Sequence, residues 1–188
     1  MNSIAKTDLT TQLERQIYSA TSKQGTFGCF EVTIGWFGNE RVDYITYDTK
    51  GIWRCFEVKV SKSDFYSKAK KTFVGHFNYF VLPDKELYEQ VKDDIPKHIG
   101  VYIGNWCVKK PKKQELLVDE QVLKDSMIRS LAREFDKQFR SGNPNVVDSL
   151  NRQINYERKE KDTYRIRYQE MHNKIYAKYG RDWDRDIL

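Results

Sequence analysis

Two carboxylates and one ammonium group in the first third of the chain could do chemistry together. Asp43 lies in Arg41-Val42-Asp43-Tyr44-Ile45, and Glu57 and Lys59 lie two residues apart in Trp53-Arg54-Cys55-Phe56-Glu57-Val58-Lys59. If the second segment is a strand, its side chains alternate. Glu57 and Lys59 then project from one face, and Phe56, Val58 and Val60 from the other. A hairpin centred on Thr49/Lys50 would set Asp43 beside Glu57, so that all three charges converge at one edge of a sheet. Two carboxylates about 4 Å apart repel by roughly 4 kcal/mol at an effective dielectric of 20. A divalent cation removes that conflict: Mg²⁺ is typically held by one or two carboxylates together with water and phosphate oxygens. Such a cation can acidify a water and neutralise charge on a phosphate in its transition state, with Lys59 adding positive charge or positioning the water. These residue types suit phosphodiester hydrolysis. They equally suit a solvated ladder of salt bridges with no ligand at all.

The elements that must position these groups follow from periodicity. Thr7 and Asp8 can cap a helix whose Leu9, Leu13, Ile17 and Ala20 fall on one stripe, with Glu14 and Tyr18 on its flank. Phe30, Val32, Ile34 and Trp36 alternate with Glu31, Thr33 and Gly35, the period of a strand. Gly38-Asn39 signals a hairpin into a second strand over about 41–47. Asp48-Thr49-Lys50-Gly51 turns the chain into a third strand over about 52–60. Ser61, Ser63 and Asp64 supply capping side chains, and Phe65, Ala69, Phe73 and Phe77 recur every four residues, which predicts a basic helix. Tyr79-Phe80-Val81-Leu82, closed by Pro83, reads as a buried strand. A helix over 84–94, a strand over 99–103 and a last short strand at Leu116-Leu117-Val118 complete the expectation. The fold class is therefore α/β, a mixed sheet flanked by helices.

Beyond residue 118 the period changes. Val147, Leu150, Ile154, Glu157, Lys161, Tyr164, Tyr168, Met171 and Ile175 repeat three-four-three-four. This predicts a domain over 1–118 and a C-terminal helical extension over 119–188, built as a helical hairpin or as a coiled coil that forms a homodimer.

Composition narrows the class. In 188 residues, 33 Lys and Arg face 27 Asp and Glu, a formal charge of +6, and aromatics reach 14%, enough for a real core. No stretch approaches the roughly 18 apolar residues of a membrane span, and no secretory signal is visible. Three cysteines without a paired motif read as reduced thiols in a cytoplasmic protein. Lysines cluster from Lys59 to Lys71 and again over 109–113, patches that attract polyanions when they are more than solvated surface. No glycine-rich phosphate loop is present.

Val42-Asp43, Phe56-Glu57-Val58-Lys59, the run Val60-Ser61-Lys62-Ser63-Asp64-Phe65 and the closing Tyr79-Phe80-Val81-Leu82-Pro83 resemble the PD-(D/E)XK nuclease superfamily. The resemblance is greatest to its MmcB-type DNA-repair branch and related phage-encoded proteins, and covers about residues 8–105. It implies a restriction-endonuclease-like αβββαβ core, with Asp43 and Glu57 as ligands of Mg²⁺ or Mn²⁺ and Lys59 as catalytic lysine. In many members a first-helix glutamate joins the metal site. Glu14 occupies that position here, and Glu31 is its rival. Val42 stands where the fuller motif has proline. Lys62, Lys68 and Lys71 would engage DNA phosphates, and His76, next to them, would either contact phosphate or pack at a helix end. Trp36, Trp53 and Tyr44 are either base-stacking or core aromatics. The implied function is metal-dependent DNA hydrolysis; the alternative is a catalytically inactive DNA- or partner-binding module that dimerises through its C-terminal helices.

Overall fold

Six strands and five helices follow one another in the computed structural model, which describes residues 8–36, 38, 40–68 and 70–180. Thr7, Asn39 and Ala69, each used in an expectation above, lie outside the described residues. The chain divides into two compact units, one up to Glu134 and one from Phe135.

Helix α1 (Asp8–Thr21) buries Leu13 and Ile17, the centre of its apolar stripe. Strands β1 (Thr26–Thr33), β2 (Arg41–Asp48) and β3 (Trp53–Val58) form the antiparallel meander. Strand β1 starts and ends earlier than its alternation suggests, and within it Glu31 sits in the left-handed region with φ of 52°, skipped in the pairing with β2. The alternation breaks there. Cys29 and Val32 share one buried cluster, while Phe30 stacks on Tyr44 on the other side at 4.3 Å between rings. Trp36 falls past the strand end, exposed, with the Arg129 guanidinium over its ring at 5.0 Å. Trp53 and Tyr44 are core.

After β3 the structure departs from expectation. Helix α2 is a single turn (Lys62–Phe65), capped by Ser61, whose Oγ accepts the Asp64 N–H. The four-residue phenylalanine spacing does not continue it. Phe65 and Phe73 both pack on Phe80, but Phe73 does so from irregular chain, and Phe77 opens strand β4 (Phe77–Leu82). At Thr72 and Gly75 the backbone finds partners a helix would deny it. Thr72 N–H is taken by Glu57, and Gly75 and Asn78 exchange two hydrogen bonds at 3.1 and 2.9 Å. Those bonds fix a turn directly before β4.

Strand β4 runs parallel to both β3 and β5 (Gly100–Ile103). Buried on nearly every residue, it has the continuous apolar run of a central parallel strand. Helix α3 (Lys85–Val91) is capped by Asp84 and followed by a short 3₁₀ turn. The last strand is not 116–118 but β6 (Trp106–Lys109), reached from β5 by a Gly104-Asn105 turn with Gly104 at φ of 58°. Leu116 and Val118 instead pack, without strand pairing, against the core cluster under β1–β3. The sheet order is β1-β2-β3-β4-β5-β6.

Each face of the sheet has its own cover. On one, Leu13 and Ile17 of α1 pack on Tyr44, Phe56, Val58, Tyr79 and Val81. On the other, α3 covers the β4–β5 half and the first turns of α4 (Glu120–Ser141) cover the meander. Leu123, Ser126, Met127 and Ser130 are buried, Ser126 Oγ accepts Gly35 N–H, and Arg129 donates to the carbonyls of Thr33 and Gly35. The core unit therefore runs on into α4 and ends inside that helix, not at residue 118. In the second unit, α5 (Pro144–Tyr179) has Asn143 as N-cap and no buried residue. Among the described residues, no helix is long and apolar enough to cross a membrane.

Gly28 is held to glycine by contact. A Cβ there would lie 2.3 Å from Tyr44 Oη, which shares a hydrogen bond with Thr21 Oγ1. Gly28→Ala is expected to lower the unfolding free energy by about 1–3 kcal/mol, the usual range for overpacking. A urea midpoint equal to wild type would show that the ring yields at no cost.

Candidate active site at the ends of β2 and β3

Strand register brings Asp43 and Glu57 together. Tyr44 pairs with Phe56 across β2 and β3, so the next residues outward, Asp43 and Glu57, stand at one level on adjacent strands. Phe56 and Val58 point toward α1, and Glu57 and Lys59 alternate with them to the opposite face. Both strands are interior, so the charges gather at strand ends rather than along a sheet edge.

The backbone holds each carboxylate. Asp43 Oδ2 accepts the Val58 N–H at 2.9 Å, and Glu57 Oε1 accepts the Thr72 N–H at 3.1 Å. The Lys59 ammonium lies 3.9 Å from Glu57 Oε2 and 3.8 Å from Asp64 Oδ1. Asp64 Oδ2 in turn accepts the Val60 N–H at 3.1 Å. Glu57 and Lys59 are only 2% and 6% exposed, so this is a desolvated cluster and not a surface ladder.

Electrostatics follow from that burial. Loss of solvent, and then the neighbouring Asp43, push Glu57 up to about 8, against the Thr72 N–H, Lys59 and Lys71. Asp43 is raised too, mainly by burial, and opposed by the Val58 N–H, Lys59 and Arg41. The charges are undercompensated: one buried ammonium serves the buried Glu57 and the half-buried Asp43, with Asp64 drawing on it as well. A hard cation fits that donor set, because it would supply the missing positive charge to oxygens already oriented by backbone donors.

Other candidates are placed differently. Glu14, on the α1 side of the sheet, lines a separate depression with Thr11, Arg15, Tyr18 and Phe30. Glu31 lies 3.7 Å from Arg41. Among the described residues no three His, Cys, Asp or Glu side chains are grouped to hold a metal, so neither glutamate completes a set with Asp43 and Glu57. His76 is not beside the site. Its Nδ1 accepts the Trp53 N–H at 3.0 Å, and Trp53 lies four residues before Glu57 at the far end of β3, about 13 Å away along the strand. Its role there is to pack and pair.

The lysines divide. Lys62 and Lys68 are exposed. Lys71 is half-buried, lies over the Phe65 ring, and acts electrostatically on Glu57. Together with Lys70, which pairs with Glu40, it lines a cleft of 730 Å³ floored by Ile34, Phe73 and Val74. Lys109 is tied down by the carbonyls of Ile95 and Pro96. Asp64 is the functional neighbour that sequence reasoning missed; its place in Ser61-x-Ser63-Asp64 suggested capping alone. All three cysteines are free, and burial pushes the Cys55 thiol up to about 12, an inert group.

No family model and no curated protein matches this chain. Among solved structures it is similar to the SPO1766 protein of unknown function from Silicibacter pomeroyi, at 18% identity and a TM-score of 0.57, over 74% of this chain and 97% of that one. That likeness concerns the fold alone: a mixed sheet with flanking helices.

Proposed function

We propose that the protein is a Mg²⁺- or Mn²⁺-dependent DNA nuclease of the PD-(D/E)XK type, with a restriction-endonuclease-like core. The observation that carries this reading is the buried Glu57 level with the half-buried Asp43 on the adjacent strand, with the buried Lys59 beside Glu57. Evenly paired charges would make this a structural salt bridge; burial and then Asp43 raise Glu57 despite the adjacent Lys59, which supports reading the cluster as a site short of positive charge.

Asp43 and Glu57 are the residues that would hold the cation, each with one oxygen fixed by a backbone N–H. Bound there, Mg²⁺ or Mn²⁺ would supply charge against the negative charge that builds on the phosphate. Lys59, held between Glu57 and Asp64, places its ammonium beside the carboxylates and would stabilise that charge or position the attacking water. Lys62 and Lys68, exposed on and just after α2, take backbone phosphates of DNA, contacts that add affinity without sequence preference. Lys71 acts closer in, on Glu57.

The second reading is a DNA-binding module without turnover. It is favoured by the absence, among the described residues, of a third ligand grouped with the carboxylate pair. One experiment separates the two. Purified protein is incubated with linear, nicked, single-stranded and branched DNA, with and without Mn²⁺. Cleavage of at least one substrate only when Mn²⁺ is present is expected. Retarded but uncut DNA in every lane would leave the binding module standing and end the nuclease reading.

A further inference from the structure

Helix α5 spans 36 residues, and none of them is buried. Its three-four repeat nevertheless sets Val147, Leu150, Ile154, Tyr164, Tyr168 and Met171 along one exposed seam. A stripe of that kind over about 40 Å of helix is unfavourable in water and calls for a partner with the same repeat. The two seam positions that are not apolar, Glu157 and Lys161, say which partner and in which direction. In a parallel, in-register pair each seam residue meets its own copy. Glu157 would then face Glu157 and Lys161 would face Lys161, stacking two like-charged layers in mid-seam.

Reversing one helix about a two-fold axis between residues 157 and 161 changes every layer. Glu157 now meets Lys161 of the second copy, twice. Ile154 meets Tyr164, Leu150 meets Tyr168, and Val147 meets Met171. Each aliphatic residue from the first half of the seam is set against a larger or more flexible one from the second half, the large-against-small arrangement that fills a helical interface. The same axis sets the solvated Arg158 and Glu160 near their own copies, where exposure to water and salt leaves the like-charge repulsion weak. We propose that α5 is an antiparallel homodimerisation helix, with a second copy of this chain as its partner and the Glu157–Lys161 layers at the two-fold axis. This goes beyond the nuclease reading and does not depend on it.

The test is a charge-reversal cycle on the full chain, read by sedimentation equilibrium. Wild type is expected to be a dimer. Glu157→Lys and Lys161→Glu, each of which creates two like-charged layers, should weaken it by at least about tenfold, and the double reversal should return it to within about threefold of wild type. These positions are exposed in the single chain, and helix content by circular dichroism checks that the variants fold. A monomeric wild type, or single reversals without effect, would overturn the proposal, as would a double reversal no better than the singles. Orientation has its own readout. In a Cys107→Ser background, Val147→Cys combined with Met171→Cys should form an oxidised dimer, and Val147→Cys alone should not. A cross-link by Val147→Cys alone would mean parallel helices and defeat the proposal.

Discussion

Glu57→Gln is expected to make the protein more stable at alkaline pH and to abolish the DNA cleavage proposed for it. In the unfolded chain Glu57 loses its proton in the ordinary glutamate range near pH 4.3. In the fold, burial and Asp43 keep that proton on until about pH 8. Between those values the native state binds more protons than the unfolded one, so stability falls as pH rises. The favourable contribution is complete below about pH 4, is lost progressively toward pH 8, and is constant above. One pH unit of displacement is worth about 1.4 kcal/mol, which sets a ceiling of roughly 5 kcal/mol. Sharing of the proton with Asp43 brings the expected loss to a few kcal/mol. Glutamine keeps the acceptor for the Thr72 N–H and cannot ionise. Urea unfolding in EDTA at pH 5.5 and 8.5 reads the effect: wild type loses stability between the two, and the variant loses less. The same substitution should lower metal-dependent cleavage on the order of 10³-fold or more. A variant both more stable and inactive behaves as expected of a site that trades stability for function. Equal pH slopes in the two proteins would mean that Glu57 is ionised at no cost, and the argument from undercompensated charge would fail.

The meander was legible because its signals were local and mutually consistent. Alternation in β2 and β3, with a four-residue turn between them, fixed the register. Register alone put Asp43 level with Glu57. Where the chain was misread, a spacing held true while its meaning changed. Phe65, Phe73 and Phe77 do sit four or eight apart, yet they belong to a one-turn helix, a loop and a strand. Two of them pack on Phe80 all the same, because burial of an aromatic ring does not require a helix to carry it. In place of a helix stand two hydrogen-bond arrangements, one across the fold from Thr72 to Glu57 and one local between Gly75 and Asn78, and neither can be read from periodicity. β6 was missed for a related reason. It is an edge strand with Trp106, Cys107 and Val108 exposed, so it lacks the alternation that marks a half-buried strand, and only Gly104-Asn105 betrayed the turn. Leu116 and Val118 are apolar because they pack on the core, not because they pair. Glu14 came from resemblance rather than from spacing. The helix that bears it covers the face opposite the carboxylates.

Metal affinity is expected to climb with pH by about tenfold per unit until about pH 8 and then to level off. A cation that binds Asp43 and Glu57 must displace the proton Glu57 holds, so binding and deprotonation are coupled. From pH 8 down to pH 6 the Mn²⁺ dissociation constant should therefore rise on the order of 100-fold. Stability reports this without any catalytic assay. A ligand at 100 times its dissociation constant adds about 2.7 kcal/mol to the folded state, and at a concentration equal to that constant only about 0.4. With one fixed Mn²⁺ concentration chosen to saturate at pH 8.5, the melting temperature should rise by several degrees there and barely move at pH 6. Glu57→Gln should show no such shift at either pH. Lys59→Met, which removes the ammonium beside Glu57, should raise the metal's contribution relative to wild type, since the cation then answers two carboxylates with no competitor. Equal shifts in wild type and Glu57→Gln, or shifts independent of pH, would place the binding elsewhere on the protein. The pH dependence is the more demanding of the two outcomes, because adventitious binding to exposed carboxylates is already complete by pH 6.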